Sequence, residues 1–290
     1  MSATRQDERP SGAKGERIAK RLARAGLCSR REAERWIEAG RVAVDGKVLT
    51  SPAVVVGPGN RITVDDKPLP AAEATRLSRY HKPKGLICTA RDEAGRPTVF
   101  DALPAELPRV MSVGRLDFNS EGLLLLTNDG GLARRLELPS TGWARRYRVR
   151  VFGRPDPEKL AALAHGVTVE DVHYGPIEAA LERQQGGNAW ISLLLREGKN
   201  REIRKVMEHL GLVVNRLIRI SFGPFRLTGL EPSSVREVPP RILADQLGTK
   251  PPEPEPPHRA PAGTGKRRQG SHKGSHKGSQ RGKRHADRRR

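Results

Sequence analysis

The segment Val113-Gly114-Arg115-Leu116-Asp117-Phe118-Asn119-Ser120-Glu121-Gly122, continued by Leu123 to Leu126 and Thr127-Asn128-Asp129-Gly130, holds the densest group of residues able to do chemistry. A charged loop runs straight into a short all-apolar run of the kind that forms a buried strand. Asp117 lies between Leu116 and Phe118 with Arg115 close by, so its carboxylate stands on the lip of a sheet. A carboxylate fixed there can act as a nucleophile or a base. An aspartate in a loop also serves as a turn or capping residue, so for the residue alone both readings stay open. Around Tyr147 run Arg145, Arg146 and Arg148, where an aromatic ring can stack on a base or pack in a core. Gly198-Lys199-Asn200-Arg201-Glu202-Ile203-Arg204-Lys205-Val206-Met207 places Arg201, Arg204 and Lys205 away from an apolar helix face. Those cations can bind anions or form an ordinary solvated face. Lys82 and Lys84 flank Pro83 in a further basic turn ending at Gly85.

The elements that must carry these side chains fall into two units. From about residue 15 to 72, Ile18, Leu22 and Ala25 mark one helical face, and Gly26 ends the helix. Ser29 to Glu32 has the form of a capping box, and Ala33, Trp36 and Ile37 supply the buried face of a second helix stopped by Gly40. Val42 and Val44 alternate into Asp45-Gly46, a tight-hairpin signal, and Ile62 and Val64 alternate in a later strand. From about 76 to 247 strands and helices mix without a regular βαβ rhythm. Strands are expected at Leu123–Leu126, Tyr147–Val151, Trp190–Leu195 and Val213–Ile220. Helices are expected at Leu132–Leu138 and Leu160–Leu163, and on the Ile203, Val206, Met207, Leu210 face, with Asn200 placed to cap that last one. This pattern predicts an α+β domain on a mostly antiparallel mixed sheet.

The 290 residues carry a formal net charge of +21, unevenly spread. From Lys250 to Arg290 there are 13 Lys/Arg against 3 Asp/Glu. That stretch contains no Val, Ile, Leu, Met, Phe, Trp or Tyr, so 250–290 is expected to be a disordered polycationic tail, as is 1–14. A basic body with a basic tail points to nucleic acid. No run reaches the roughly 18–20 apolar residues of a membrane span. The N-terminus lacks the apolar core of a secretory signal. Cys28 and Cys88 are the two cysteines, which argues against a disulfide scaffold and a cysteine zinc site and for a reducing cytoplasm. There is no phosphate-binding Gly-x-x-x-x-Gly-Lys loop, and Gly57-Pro58-Gly59 is not a dinucleotide fingerprint.

The first unit resembles the small RNA-binding domain first seen in ribosomal protein S-four, through Arg17 to Lys20, Leu27 to Ala33, Trp36-Ile37 and Gly40 to Gly46. Its cations Arg17, Lys20, Arg21, Arg30, Arg31 and Arg35 are then expected to face RNA. The segment around Asp117, with the Tyr147 and Gly198–Met207 segments and Leu217 to Pro224, resembles the pseudouridine synthases of the branch that modifies single rRNA uridines. It is most like the large-subunit (23S) rRNA synthase B subgroup. The resemblance spans about residues 15 to 245. It implies that the chain isomerises a specific uridine with Asp117 as catalytic carboxylate, Arg204 in an ion pair with it, and Tyr147 stacking on the flipped base. Lys82, Lys84, Arg115, Arg145, Arg146, Arg148, Lys199, Arg201 and Lys205 are expected to contact RNA. It further implies no cofactor and no metal, a monomer in the cytoplasm, and ribosomal RNA as partner, free or in an assembling large subunit. The competing readings are a non-catalytic rRNA-binding assembly factor, a glycoside hydrolase pairing Asp117 with Glu121, and a DNA-binding regulator using the first two helices. A basic, aromatic-poor chain suits neutral sugars badly, and a DNA reader has no use for the later motifs.

Overall fold

The computed structural model describes residues 15–249; the expectations for 1–14 and 250–290 lie outside the described residues. The N-terminal unit is built from β1 (Glu16–Arg17), α1 (Ile18–Arg24), α2 (Arg30–Glu38), β2 (Val42–Val44), β3 (Lys47–Val48), β4 (Val55–Val56), β5 (Ile62–Val64) and β6 (Lys67–Pro68). The capping box at α2 forms in both directions. Ser29 Oγ accepts from Glu32 N at 3.1 Å, and Ser29 N donates to Glu32 Oε2 at 3.4 Å. Asp45 and Gly46 both take positive φ, 51° and 79°, which fits the two-residue hairpin joining β2 to β3. Ile18, Leu22, Ala33, Ile37 and Val42 pack into a core of their own with Val56 and Ile62.

The larger unit adds β7 (Leu77–Lys82), β8 (Met111–Val113), β9 (Glu121–Thr127), α3 (Gly130–Glu137), β10 (Arg145–Phe152), α4 (Pro157–Ala162), β11 (Val167–Val169), β12 (Val172–Tyr174), β13 (Ile177–Gln185), β14 (Asn188–Leu195), α5 (Glu202–His209), β15 (Val213–Phe222), β16 (Phe225–Arg226), β17 (Val235–Glu237) and α6 (Pro240–Leu247). Nine of these strands form one sheet whose main path runs β13-β14-β10-β15-β9-β7-β17, with β8 on β9 and β16 on β15. Every pairing is antiparallel except β15 with β9. The α+β architecture on a mostly antiparallel mixed sheet is therefore the observed one.

The tetraleucine of β9 explains itself in this setting. Leu124 and Leu126 enter the core cluster on one face, shared with Val149, Ile191 and Val206. Leu123 and Leu125 enter the cluster on the other, shared with Leu132, Phe225 and Leu243. A central strand covered on both faces needs apolar residues at successive positions rather than alternate ones. β10 shows the opposite pattern: Tyr147, Val149 and Val151 are buried, while Arg146, Arg148 and Arg150 are exposed on the other face.

One expectation at α5 is corrected. Asn200 does not cap the helix. Arg201 occupies the N-cap position in the left-handed region, φ 49° and ψ 27°, with no side-chain cap. Glu202 instead reaches back to accept from Lys199 N at 2.9 Å, which fixes the turn leading into the helix and leaves the first-turn amides without a side-chain cap. The β11–β12 hairpin, β13, β17 and α6 carried no strong sequence signal. The first is very short, and β13 is mostly exposed, so neither shows a clear apolar alternation.

Candidate active site

Asp117 sits in the loop 114–120 between β8 and β9, and the backbone of that loop is held at almost every residue. Gly114 enters it with φ +67°, and its N–H donates to Glu137 Oε1 at 2.6 Å. Cys88 Sγ donates to Leu116 O at 3.3 Å and accepts from Leu116 N at 3.4 Å. Asp117 O accepts from Ser120 N at 3.0 Å and from Lys82 Nζ at 3.2 Å. Phe118 O accepts from Gly85 N at 2.9 Å, Asn119 O from Arg204 Nη2 at 3.0 Å, and Ser120 O from Lys82 Nζ at 2.8 Å. Five consecutive carbonyls thus have fixed donors, and the Asp117 carboxylate is presented by a backbone with little freedom left. Immediately after the loop, Gly122 has φ +107°, and a Cβ there would lie 2.4 Å from Arg219 O. Only glycine lets β9 approach β15 this closely.

The carboxylate opens on a cavity of about 140 Å³. Tyr147, Leu195, Ile203, Leu217 and Phe222 make its apolar wall, and Arg145, Arg204, Arg219 and Glu202 its charged one. An engineered cavity of about 150 Å³ accepts benzene, so this one has room for a single six-membered ring. A wider recess of about 500 Å³ adjoins it, sharing Arg115, Asp117, Arg145 and Arg201. On its rim lies Phe118, an exposed aromatic beside Asp117.

The electrostatics of the cavity are set by burial. It pushes the Arg204 guanidinium below its ordinary value, helped by Arg201 and opposed by Asp117. Arg145 is lowered by burial and by Arg219. Lys82 is lowered by burial against the pull of Cys88, Asp117 and Glu121. Burial raises the Glu202 carboxyl to about 7; the Lys199 amide resists this and Glu197 adds to it. The lining therefore carries several cations, and burial drives one of its two carboxyls, Glu202, toward the protonated form.

The expected site residues sort into three groups. Asp117, Tyr147, Arg204, Arg115, Arg145, Lys199 and Arg201 all line the same cavity. The expected ion pair between Arg204 and Asp117 is not made. Arg204 donates through Nη2 to Asn119 O and through Nη1 to Val214 O, at 3.3 Å, while its buried Nε has no partner, so it grips the loop that carries Asp117 rather than the carboxylate. Lys82 is a second correction. It is completely buried, with its ammonium on the carbonyls of Pro83, Asp117 and Ser120, and no phosphate can reach it. The third group is committed elsewhere on the surface. Arg148 pairs with Glu182 at 2.7 Å and stacks over Trp190, on the sheet face opposite Tyr147. Arg146 shares that face. Lys205 pairs with Glu170 at 3.0 Å and Lys84 lies 3.8 Å from Glu121; Lys199, although it lines the cavity, is also engaged, with Glu197 and His173 O. In the N-terminal unit Lys20 and Arg21 pair with Glu16. Arg17, Arg30, Arg31 and Arg35 are exposed. None of these four has an ion-pair partner among the described residues.

Glu121 has no place in the cavity. Its carboxylate is held by Arg216 at 2.7 and 3.1 Å. Burial opposes ionisation there, but Arg216 and Lys84 outweigh it and keep the group below the usual range. The paired-carboxylate reading with Asp117 loses its second member. Two charged lining residues were not among the candidates read from sequence, Arg219 and Glu202. Arg219 had a signal: it stands two residues from Leu217 on β15, a core position occupied by a cation.

Among the described residues no cluster of three or more His, Cys, Asp or Glu could hold a metal ion, and no helix is long and apolar enough to cross a membrane. Set against known proteins, residues 76–209 match the RNA pseudouridylate synthase family, and residues 16–62 match the S4 domain. The chain is 47% identical over 223 residues to an uncharacterized RNA pseudouridine synthase of Rickettsia bellii (strain RML369-C), covering 77% of this chain and 96% of that one. It is 47% identical over 221 residues to ribosomal large subunit pseudouridine synthase B of Salmonella typhi, covering 73% of this chain and 75% of the relative. A crystal structure of a pseudouridylate synthase is similar with a TM-score of 0.56 and 26% identity, over 80% of this chain and 99% of that one.

Proposed function

This chain belongs to the RNA pseudouridine synthases, and from that premise we propose that it isomerises a specific uridine of ribosomal RNA, in the large-subunit 23S molecule, with Asp117 as the catalytic carboxylate. The observation that carries the reading is the Asp117 loop. It has five consecutive carbonyls in fixed bonds, and its carboxylate opens on a ring-sized cavity walled by Tyr147.

The reaction breaks the C1′–N1 bond of uridine and joins C1′ to C5. C5 loses its proton and N1 gains one, so the product has the substrate's composition and neither a redox partner nor an energy source is required. The base first leaves its stack, at a cost of a few kcal/mol. Stacking on the Tyr147 ring returns roughly 1–3 kcal/mol of that. Asp117, held in place before substrate arrives, then acts on the nucleotide without reorganising its loop. The exposed cations of the N-terminal unit, Arg17 in β1 and Arg30, Arg31 and Arg35 in α2, are suited to the phosphates of a neighbouring RNA segment. The large-subunit target is supported by the Salmonella relative, whose name assigns it to that particle. The chain works as a monomer in the cytoplasm.

Tritium release from rRNA carrying 5-tritiated uridine tests the reading. The protein is expected to release tritium from 23S rRNA at one position. Carbodiimide mapping with primer extension, in rRNA from cells lacking the protein, locates that position. No release from any rRNA, free or in ribosomal particles, would refute the proposal.

A further inference from the structure

Arg219 lies on β15 directly opposite Tyr147 and exposes 3% of its surface. Its Nε donates to Leu123 O at 2.7 Å, and its guanidinium lies over the Phe222 ring, 5.4 Å from the centroid. Its Nη2 is buried and has no hydrogen-bond partner, and no carboxylate among the described residues lies within ion-pair distance of it. A buried guanidinium without an anion is an expensive arrangement, and an arginine does not escape it by losing its proton. Repulsion from Arg145 and Lys82 makes it more expensive. Arg145 lies over the same Phe222 ring at 4.8 Å, and Arg204 lines the same cavity. The fold nevertheless holds Arg219 there, through the Nε bond and through the close β9–β15 approach that Gly122 permits. Asp117 lines the same cavity, but no protein group bonds Nη2, which leaves that donor for an anionic occupant.

The reaction proposed above supplies one. When C1′–N1 breaks, its electron pair leaves with the uracil, and the free base carries negative charge on N1, O2 and O4. That charge persists until C5 uses an electron pair to bond C1′; the C5 proton then departs and N1 is protonated. We infer that Arg219 is a catalytic residue that donates through Nη2 to a carbonyl oxygen of the detached uracil anion, stabilising it in the ring-sized cavity between Tyr147 and Phe222. The inference rests on the pseudouridine synthase reading. A donor fixed in a dry cavity is most effective where charge develops, so Arg219 favours the cleaved state over bound uridine.

The test uses full-length Arg219→Met and Arg219→Lys proteins under single turnover, on rRNA fragments bearing uridine or 5-fluorouridine at the target. Loss of the starting nucleoside is followed by nuclease digestion and chromatography. Fluorine lets the base carry its own negative charge better, so it compensates for a missing donor. Arg219→Met is expected to slow uridine turnover by roughly 10²–10³-fold. It should keep RNA Kd within about twofold, and should lose at least about tenfold less with 5-fluorouridine. Arg219→Lys keeps the charge without the fork, so it should show a smaller loss with the same compensation; it decides the matter if the Met variant does not fold. Equal losses on both bases in a folded variant would overturn the inference, as would a normal rate. Weakened RNA binding with an unchanged chemical step would overturn it too, by assigning Arg219 to a phosphate. Failure of the underlying reading looks different: the wild-type protein itself would leave uridine unconverted.

Discussion

The cations of the N-terminal helices and those around the Asp117 loop are the same residue types in opposite circumstances. Arg30, Arg31 and Arg35 stand on the outer side of α2, exposed. Lys82, Arg204 and Arg219 lie in or under the cavity, with donors bound to the carbonyls of Ser120, Asn119 and Leu123. An exposed cation keeps its hydration and its reach and can exchange counterions for phosphates. A buried one is an internal strut whose charge matters only at the distance its carbonyl partners fix. The lesson is that the large positive charge of this chain performs two tasks, attraction outside and positioning inside, and residue type does not separate them.

Breaking an inner strut should give the largest effect. Lys82→Met leaves the carbonyls of Pro83, Asp117 and Ser120 short of a donor and lets the carboxylate drift. A misplacement of about 1 Å costs on the order of 10²-fold in rate. The expected outcome is a kcat loss of that size with RNA Kd within about threefold. A Lys82→Met protein with wild-type kcat would erase the distinction between the two groups.

Removing the outer cations should do the reverse at smaller scale. The triple change Arg30→Ala, Arg31→Ala, Arg35→Ala should weaken RNA binding by about tenfold. It should also lower the slope of log K against log salt by about 2, since each lost phosphate contact on single-stranded RNA removes about 0.7. Its kcat at saturating RNA should stay at the wild-type value. Arg148→Ala, whose cation is already engaged with Glu182 and Trp190, is the matched control and should move Kd less than twofold. An equal effect from the control would show that exposure, rather than lack of a partner, marks the docking cations.

The smallest effect concerns stability. Burial raises the Glu202 carboxyl from its ordinary 4.5 to about 7. The folded state therefore holds this proton more tightly than the unfolded chain does. The associated stability is complete below about 4.5 and is lost as pH rises through about 7. Glu202→Gln has no proton to lose, so its Tm relative to wild type should climb by about 5 °C between pH 5 and pH 8. A difference that stays flat with pH would mean the carboxyl is ionised throughout.

How much of this was legible in the sequence depended on how local the cause was. The α2 capping box and the Asp45-Gly46 hairpin are determined by residues within a few positions of each other, and both form as read. The buried run Leu123–Leu126 and the inward face of Tyr147, Val149 and Val151 follow from patterning along one strand. Lys82 was readable in part: it alternates with Tyr80 on β7, so an inward face was implied, yet its carbonyl partners come from residues 117 and 120, far along the chain. The start of α5 was misplaced because Arg201 adopts a left-handed backbone, which shifts the helix start by one residue and leaves it without a side-chain cap. The Arg204 contact was misassigned for a related reason. Motif spacing brings the guanidinium to the Asp117 loop, but only the folded loop shows that Asn119 O lies where it can be gripped. Arg219 needed the sheet order, which sets β15 against β9 and β10 at once.

The central claim is that a carboxylate preset by inner struts performs the chemistry while other cations hold the RNA. Tritium release and RNA Kd measured side by side on Asp117→Asn test it most directly. The account predicts no release from 5-tritiated uridine rRNA and a Kd within about twofold of wild type, because the amide keeps the shape of the side chain and no strut is touched. Normal tritium release by Asp117→Asn would contradict it.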